Sequence, residues 1–264
     1  MQLAFDLISD LHVETWPEDF DWSSQATSAY CVVAGDVCRD RDLLVRALTN
    51  LGQSYPGGVF YIDGNDEHRN HLEDLGNSYL DLDHLVRPID NLVYLQDNVV
   101  IINGVAFLGA NGWWNFEFGS DIDAEQTQMW YQHKLGLSDQ AIASIVSCAN
   151  GDAAYLINSV KKLQTHKEVH AIVMISHTVP SPELVAHDPE LADTYRFNCV
   201  GNNLLLHALA ADSEKKINTW CFGHYHSAVD QLHNGIRWVN NCRGRGDSPW
   251  RQHTYFPKRI EINY

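Results

Sequence analysis

No C-x-x-C pair occurs among the six cysteines (Cys31, Cys38, Cys148, Cys199, Cys221 and Cys242), and no apolar run approaches the about 20 residues that a bilayer-spanning helix needs. Scattered cysteines argue against a disulfide framework and for reduced thiols, most of them core residues. The opening MQLAFDLISD has neither the basic start nor the small-residue cleavage site of a secretory signal. These absences predict a soluble protein of the cytoplasm with no membrane partner. Cations are scarce too: 18 Lys plus Arg stand against 34 Asp plus Glu, a formal net charge of -16. Duplex nucleic acids are held by cationic side chains that displace counterions, so this balance disfavours a duplex-binding role. Internal repeats, low-complexity tracts and linkers are also missing.

What is present suits a globular chain. With 264 residues, 45% apolar and 20% charged, there is length enough to bury a core. Apolar runs rich in Val, Ile, Phe and Tyr recur and end in polar loops: LAFDLIS, AYCVVAG, GVFYIDG, NVVIINGVAFLGA, HAIVMIS, NTWCFG and IRWVNN all read as strands. Between them lie helical stripes. Leu43, Leu44, Ala47 and Leu51 make one; Ile142, Ile145, Val146 and Ala149 make another, which resumes after a break at Asn150 and Gly151 as Ala153, Leu156, Ile157 and Val160. Strands alternating with helices predict an α/β protein with helices covering sheets. Polar motifs spread from residue 10 to residue 226 predict one domain over 1–264, since a boundary among them would divide the site.

Oxygen and imidazole groups follow the strands in order: Asp10-Leu11-His12, then Gly35-Asp36, Gly64-Asn65, His177 after AIVMIS, and Gly223-His224-Tyr225-His226 after TWCF. The carboxyl edge of an α/β sheet is where ligands bind. Residues two apart in an extended loop can face one centre, so Asp10 with His12, and His224 with His226, can each grip a shared ion. Taken singly these are weak signals. The ordered set D-x-H, G-D, G-N, H, G-H-x-H resembles that of the calcineurin-like metallophosphoesterases, and the resemblance runs from Leu3 through RWVNNCRGRG.

The resemblance implies two β-sheets sandwiched by helices around a pair of divalent cations of the Mn, Fe, Ni or Zn kind. Carried over position by position, Asp10, His12 and His226 would hold one cation and Asn65, His177 and His224 the other, with Asp36 bridging. The donors are carboxylate, imidazole and amide without thiolate, which suits those metals. Hydrolysis would use water activated at the cations, with no side-chain nucleophile. Arg39, Arg243 and Arg245 are candidates to stabilise phosphoryl charge, and Arg245-Gly246-Asp247 is read as a loop beside the site, not as an adhesion motif.

One position departs from the pattern. Where the family carries a histidine after G-N, assigned to protonate the leaving group, this chain has Asp66. A carboxylate near two dications favours its charged form and makes a poor acid at neutral pH. Either His68 takes over, or a metal-bound water does, or the substrate has a leaving group that needs little help; for His68 a solvated loop histidine is the competing reading. Between 111 and 133, Trp113, Trp114, Phe116, Phe118, Trp130 and Tyr131 form either a small core tying a helix to the sheets or a lid or wall that stacks on a substrate ring. The expectation is a metal-dependent hydrolase of a small-molecule phosphoester, mono- or diester. The alternatives are a protein phosphatase or nuclease of the same family, or a catalytically weak scaffold that keeps the metals.

Overall fold

The computed structural model describes residues 2–17, 22–119, 123–191, 194–247 and 255–264. Two sheets face each other. The first contains β1 (Gln2–Ile8), β2 (Tyr30–Ala34), β3 (Gly58–Ile62), β4 (Leu92–Tyr94) and β11 (Lys258–Asn263), in the order β11-β1-β2-β3-β4. The second contains β5 (Asn98–Ile102), β6 (Val105–Ala110), β7 (Ala171–Ser176), β8 (Ile217–Phe222), β9 (Val229–His233) and β10 (Ile236–Asn240), in the order β5-β6-β7-β8-β10-β9. Within each sheet the inner strands run parallel. The antiparallel partners are β11 in the first sheet, β5 and β9 in the second.

The period of two along the strands explains the layering. On β7, Val173 and Ile175 face inward with Phe5, Phe60, Ile62 and Phe107, while Ile172 and Met174 face outward. Phe107 sits at the centre of the inner layer, 4.6 Å from the Phe60 ring and 5.4 Å from Phe5. Outside the first sheet lie α1 (Arg41–Ser54) and α2 (Leu75–Val86), which bury Leu44, Leu48, Leu51 and Leu82 against Val33, Val59 and Tyr61. After α3 (Ala124–Leu135) come α4 (Asp139–Gln164) and α5 (His207–Ala211), and these two cover the second sheet through Leu156, Val160 and Ala208. This is the two-sheet sandwich flanked by helices that the motif order implies.

Two local expectations change. The helix expected to break at Asn150 and Gly151 runs unbroken as α4, because Ile145, Ala149, Ala153 and Leu156 bury on either side of that pair. Packing of this kind outweighs the about 1 kcal/mol that an exposed helical glycine costs. The run NVVIINGVAFLGA is two strands, turned at Asn103 and Gly104, both of positive φ.

Parallel order is what assembles the site. β1, β2 and β3 end side by side in one sheet, β7 and β8 in the other, so the loops after all five strands open on one edge of the sandwich. Among the described residues, no helix is long and apolar enough to cross a membrane.

Candidate metal centre

At that edge Asp10, His12, Asp36 and His226 bring donor atoms within 4.8 Å of one another, and Asp36, His177 and His224 do the same. Asp36 belongs to both groups. Its Oδ1 lies 3.3 Å from His177 Nε2 and its Oδ2 3.7 Å from His12 Nε2. His12 and His226 converge with their Nε2 atoms 3.1 Å apart, and His226 Nε2 lies 3.4 Å from Asp10 Oδ1. Asn65 Oδ1 lies 3.2 Å from His177 Nε2. All seven residues named from the motif pattern meet in one place.

The surroundings aim these groups. His177 Nδ1 donates to the Ala34 carbonyl at 2.9 Å, which leaves Nε2 turned toward Asp36 and Asn65. His224 Nε2 faces the Cys199 carbonyl at 3.1 Å, so Nδ1 is its available donor. Such outer hydrogen bonds fix the tautomer of a metal-binding imidazole. The His224 backbone N–H in turn donates to Asp10, 3.0 Å from Oδ1. The chain bends sharply to achieve this: Asp10, His12, Asp36 and His224 all have left-handed backbone, with φ of 51°, 42°, 52° and 64°. Few residues other than glycine adopt that region, and Asp, Asn and His are the ones enriched there.

Negative charge dominates the cluster. Burial alone would push the His177 imidazole down, yet the Asp36 carboxylate beside it carries it up to about 10. His224, buried and close to His177, is pushed down to about 4. Buried carboxylates with converging imidazoles and an amide oxygen, and no thiolate, match hard to borderline divalent cations.

Glu67 fixes the loops in place and was not singled out by the sequence. Its Oε1 accepts from the N–H groups of Val37 (2.6 Å) and Cys38 (3.2 Å), and its Oε2 from Gly64 N–H at 2.7 Å. One buried carboxylate thus ties the loop after β2 to the loop after β3. Burial first, and then the Asp36 charge, push this group up to about 8. The only signal was an acid two places after Asn65.

Asp66 lines the cleft and is saturated with donors. Arg39 Nη2 reaches both of its oxygens, at 3.1 and 3.0 Å, and Arg245 Nη1 lies 3.2 Å from Oδ2. His12 Nδ1 is 3.3 Å from the same Oδ2, in contact but not aligned as a hydrogen bond. Burial would push the Asp66 carboxyl up, but the His12 imidazole and then the Arg39 guanidinium outweigh it and hold the carboxyl well below the usual range. Glu14, also unforeseen, adds a carboxylate near His12 and Asp66.

Three expected site residues are not brought to the cleft. His68 is fully buried, with Nε2 2.8 Å from Asp63 Oδ2 and Nδ1 2.7 Å from Ser78 Oγ. Both ring nitrogens are engaged, so it is neither a solvated loop histidine nor placed to serve as an acid at the metal donors. Asp63 also accepts from Tyr94 OH at 2.5 Å and Asn111 Nδ2 at 2.7 Å, and His68 completes this buried network. His68→Ala is therefore expected to lower stability by about 3 kcal/mol or more, since it strips a partner from a buried carboxylate. A chemical-denaturation midpoint equal to that of the parent would contradict this. Trp113 is fully buried, its Nε1 donating to Tyr79 OH at 2.6 Å, and it packs with Leu75, Phe116 and Ile145. Arg243 is buried with its guanidinium 4.0 Å from the Trp16 ring centre.

The aromatic segment therefore divides; its residues 120–122 lie outside the described set. Trp113, Phe116 and Phe118 are core; Trp114 is buried in the same cluster as Trp113 and also lines the cleft, as do the partly buried Trp130 and Tyr131. Trp114 stacks on His224, with ring centres 5.2 Å apart and an angle of 20°. The cleft measures about 1030 Å³, and its described lining includes His12, Asp36, Asn65, His224 and His226 at the floor. Arg69, Lys134, Arg196 and Arg245 also line it, and of these only Arg245 was expected.

No family profile matches the chain, and no curated protein matches it. Among solved structures, the phosphopantetheinyl hydrolase of Mycobacterium tuberculosis is similar, with a TM-score of 0.69 and 15% identity over 93% of this chain and 90% of that one. At that identity the match shows a shared fold, two β-sheets flanked by helices. A Staphylococcus aureus 5'-nucleotidase candidate matches with a TM-score of 0.49 and 15% identity, over 91% of this chain and 48% of that one. The GAP50 anchor of the Plasmodium inner membrane complex matches with a TM-score of 0.48 and 13% identity, over 98% of this chain and 81% of that one.

Proposed function

We propose that this chain is a dinuclear metal-dependent phosphohydrolase acting on a small-molecule phosphoester. The observation that carries the reading is the pair of donor groups sharing Asp36 at the common edge of the two sheets. Asp10, His12 and His226 would hold one cation, Asn65, His177 and His224 the other, and Asp36 both. Two cations so held supply Lewis-acid activation of water and neutralise charge on the phosphoryl oxygens.

The chain's own side chains do the rest. Ala34 and Cys199 carbonyls hold the His177 and His224 rings, and Glu67 keeps the two ligand-bearing loops together. Arg245 places a cation at the wall beside the donors, where it stabilises anionic oxygens of the substrate. Trp114 stacks on the His224 ring and restricts its orientation. The cleft size and its aromatic wall suit a small molecule.

The test is metal content with turnover. Chelated protein reloaded with Mn, Fe, Ni or Zn should bind two ions per chain and hydrolyse 4-nitrophenyl phosphate or its diester only when loaded. Full turnover by a preparation verified as metal-free would sink the reading, as would a limit of one ion per chain.

A further inference from the structure

The wall of this cleft reverses the charge balance of the chain. Over the whole sequence acids outnumber cations by 34 to 18, a ratio that would line most surfaces with carboxylates. Beyond Asp36 and Asp66 at the donor site, however, the described lining holds two acids, Asp188 and Glu190, against four cations. Arg245 is engaged with Asp66 and Asp247, and the Asp188 carboxylate accepts the Tyr225 hydroxyl at 2.8 Å. Arg69, Lys134 and Arg196 are left, and among the described residues none of the three pairs with a carboxylate.

These three come from separate segments that the fold brings to one cleft. Arg69 closes the short turn that carries Asp66, its backbone N–H bonded to the Asp66 carbonyl at 3.3 Å, so it stands on the side of the metal donors. Its charge reaches α3: burial pushes the Tyr131 phenol up, and the Arg69 guanidinium opposes that push. Lys134 lies one turn after Trp130 on α3, with Nζ 4.6 Å from the ring centre. The Trp130 ring in turn lies 5.9 Å from that of Tyr195, whose hydroxyl donates to Gln126 at 3.1 Å, and these contacts tie the segment of Arg196 to α3. Rings bridge the interval to the metal donors. Trp114 stacks on His224, and its ring centre lies 5.5 Å from that of Tyr131.

We infer that Arg69, Lys134 and Arg196 form a second anion subsite, and that the substrate is a phosphoester whose leaving group carries a phosphate or carboxylate at its far end. This rests on the hydrolase reading above and names the substrate class of the same cleft. Guanidinium and ammonium groups hold phosphate and carboxylate oxygens through charge-assisted hydrogen bonds, and cations on the wall of a cleft concentrate anions there. The reacting phosphoryl group sits at the donors around Asp36, the organic spacer runs past Trp114 and Tyr131, and the terminal anion meets the three cations. In the reaction the oxygen of water bonds to phosphorus while the bond from phosphorus to the spacer oxygen breaks. The electron pair stays on that oxygen, which takes one proton of the water and leaves as an alcohol; the other proton ends on the released phosphate.

The experiment uses alkyl phosphates of increasing chain length that end in a second phosphate, a carboxylate or a neutral hydroxyl. With the metal-loaded full chain, the anionic ends are expected to raise kcat/KM about 10-fold or more over the hydroxyl end at one favoured length, chiefly through KM, and added salt should shrink the gain. The end with the larger gain identifies the terminal group. Lys134→Met and Arg196→Gln, both at exposed positions, should together cost the anion-ended esters about 10-fold more than the hydroxyl-ended ones. Calorimetry on the loaded chain reads the subsite without turnover: an alkane bisphosphonate of the favoured length should bind about 10-fold tighter than the matching alkylphosphonate, and the double variant should lose the difference. Equal kcat/KM for charged and neutral ends at every length would overturn the inference while leaving the hydrolase intact, and so would a gain that survives both substitutions. Absence of metal-dependent turnover on these esters and on 4-nitrophenyl phosphate would instead remove the hydrolase reading, and the calorimetric difference would then decide the subsite by itself.

Discussion

Asp36→Asn is expected to lower kcat/KM by on the order of 100-fold or more and to leave the protein with fewer than two bound cations. Even the outer partners of metal ligands are worth about 10-fold to 100-fold, so a carboxylate common to both donor groups should exceed that. The substitution isolates charge from shape. Asparagine tolerates the left-handed backbone that Asp36 adopts at φ 52°, and it keeps an oxygen to accept the Asp66 N–H that now lies 2.8 Å from Oδ1. It lacks the second negative oxygen that reaches toward His12. Asn65→Ala, which removes an oxygen near His177 alone, should fall short of it in both readouts. The bridging role would be refuted by an Asp36→Asn protein that carries two metals per chain and turns over normally.

Gly64→Ala should empty the same site without deleting one donor. A methyl group on Gly64 would overlap Asp36 Oδ1 and stand 2.5 Å from the Asp36 backbone nitrogen and 2.8 Å from its Cγ. Glu67 holds this loop against the loop after β2 through three backbone hydrogen bonds, so neither strand end can withdraw without breaking them. Overpacking a fixed contact costs about 1–3 kcal/mol, and relief would come from moving Asp36. The expected result is a loss of bound metal and activity as deep as that of Asp36→Asn, with a lowered melting temperature. Gly151→Ala is the comparison, because nothing lies within 4 Å of a methyl group there and the helix gains up to about 1 kcal/mol. Retention of both cations by Gly64→Ala would show that the loops part easily.

The motif residues were legible because each is a polar group placed directly after an apolar run, a local pattern that survives without any knowledge of contacts. Strand order in the sandwich then brings them together. The edge strands were harder to see. β11, KRIEIN, alternates charge with only two buried positions, Ile260 and Ile262, and β9 exposes most of its length. Such strands are defined by the neighbour they pair with, not by their own composition. His68 and Trp113 misled for a similar reason. Their fates are set by Asp63 just after β3 and by Ser78 and Tyr79, whose positions relative to them depend on how α2 docks. Arg245 reaches Asp66 across 179 residues of chain, and no spacing rule relates the two. The aromatic run was ambiguous because burial and ligand-facing aromatics share one composition; Trp114 packs in the same buried cluster as Trp113 and also lines the cleft.

Left-handed backbone at Asp10, His12, Asp36 and His224 also shapes how this site would decay if selection for chemistry ceased. A side chain with a Cβ costs about 1–2 kcal/mol in that region, and the present residues tolerate the cost as the types best suited to it after glycine. Once freed from the metal-holding role proposed above, these positions would be governed by foldability alone, and drift would favour glycine or asparagine over the alanine or serine common elsewhere. Lineages that abandoned the reaction should therefore carry a recognisable scar, with glycine or asparagine at the ends of β1, β2 and β8 and an intact apolar sandwich beneath. Folded descendants with alanine fixed at several of these positions would show that the backbone there is free to relax.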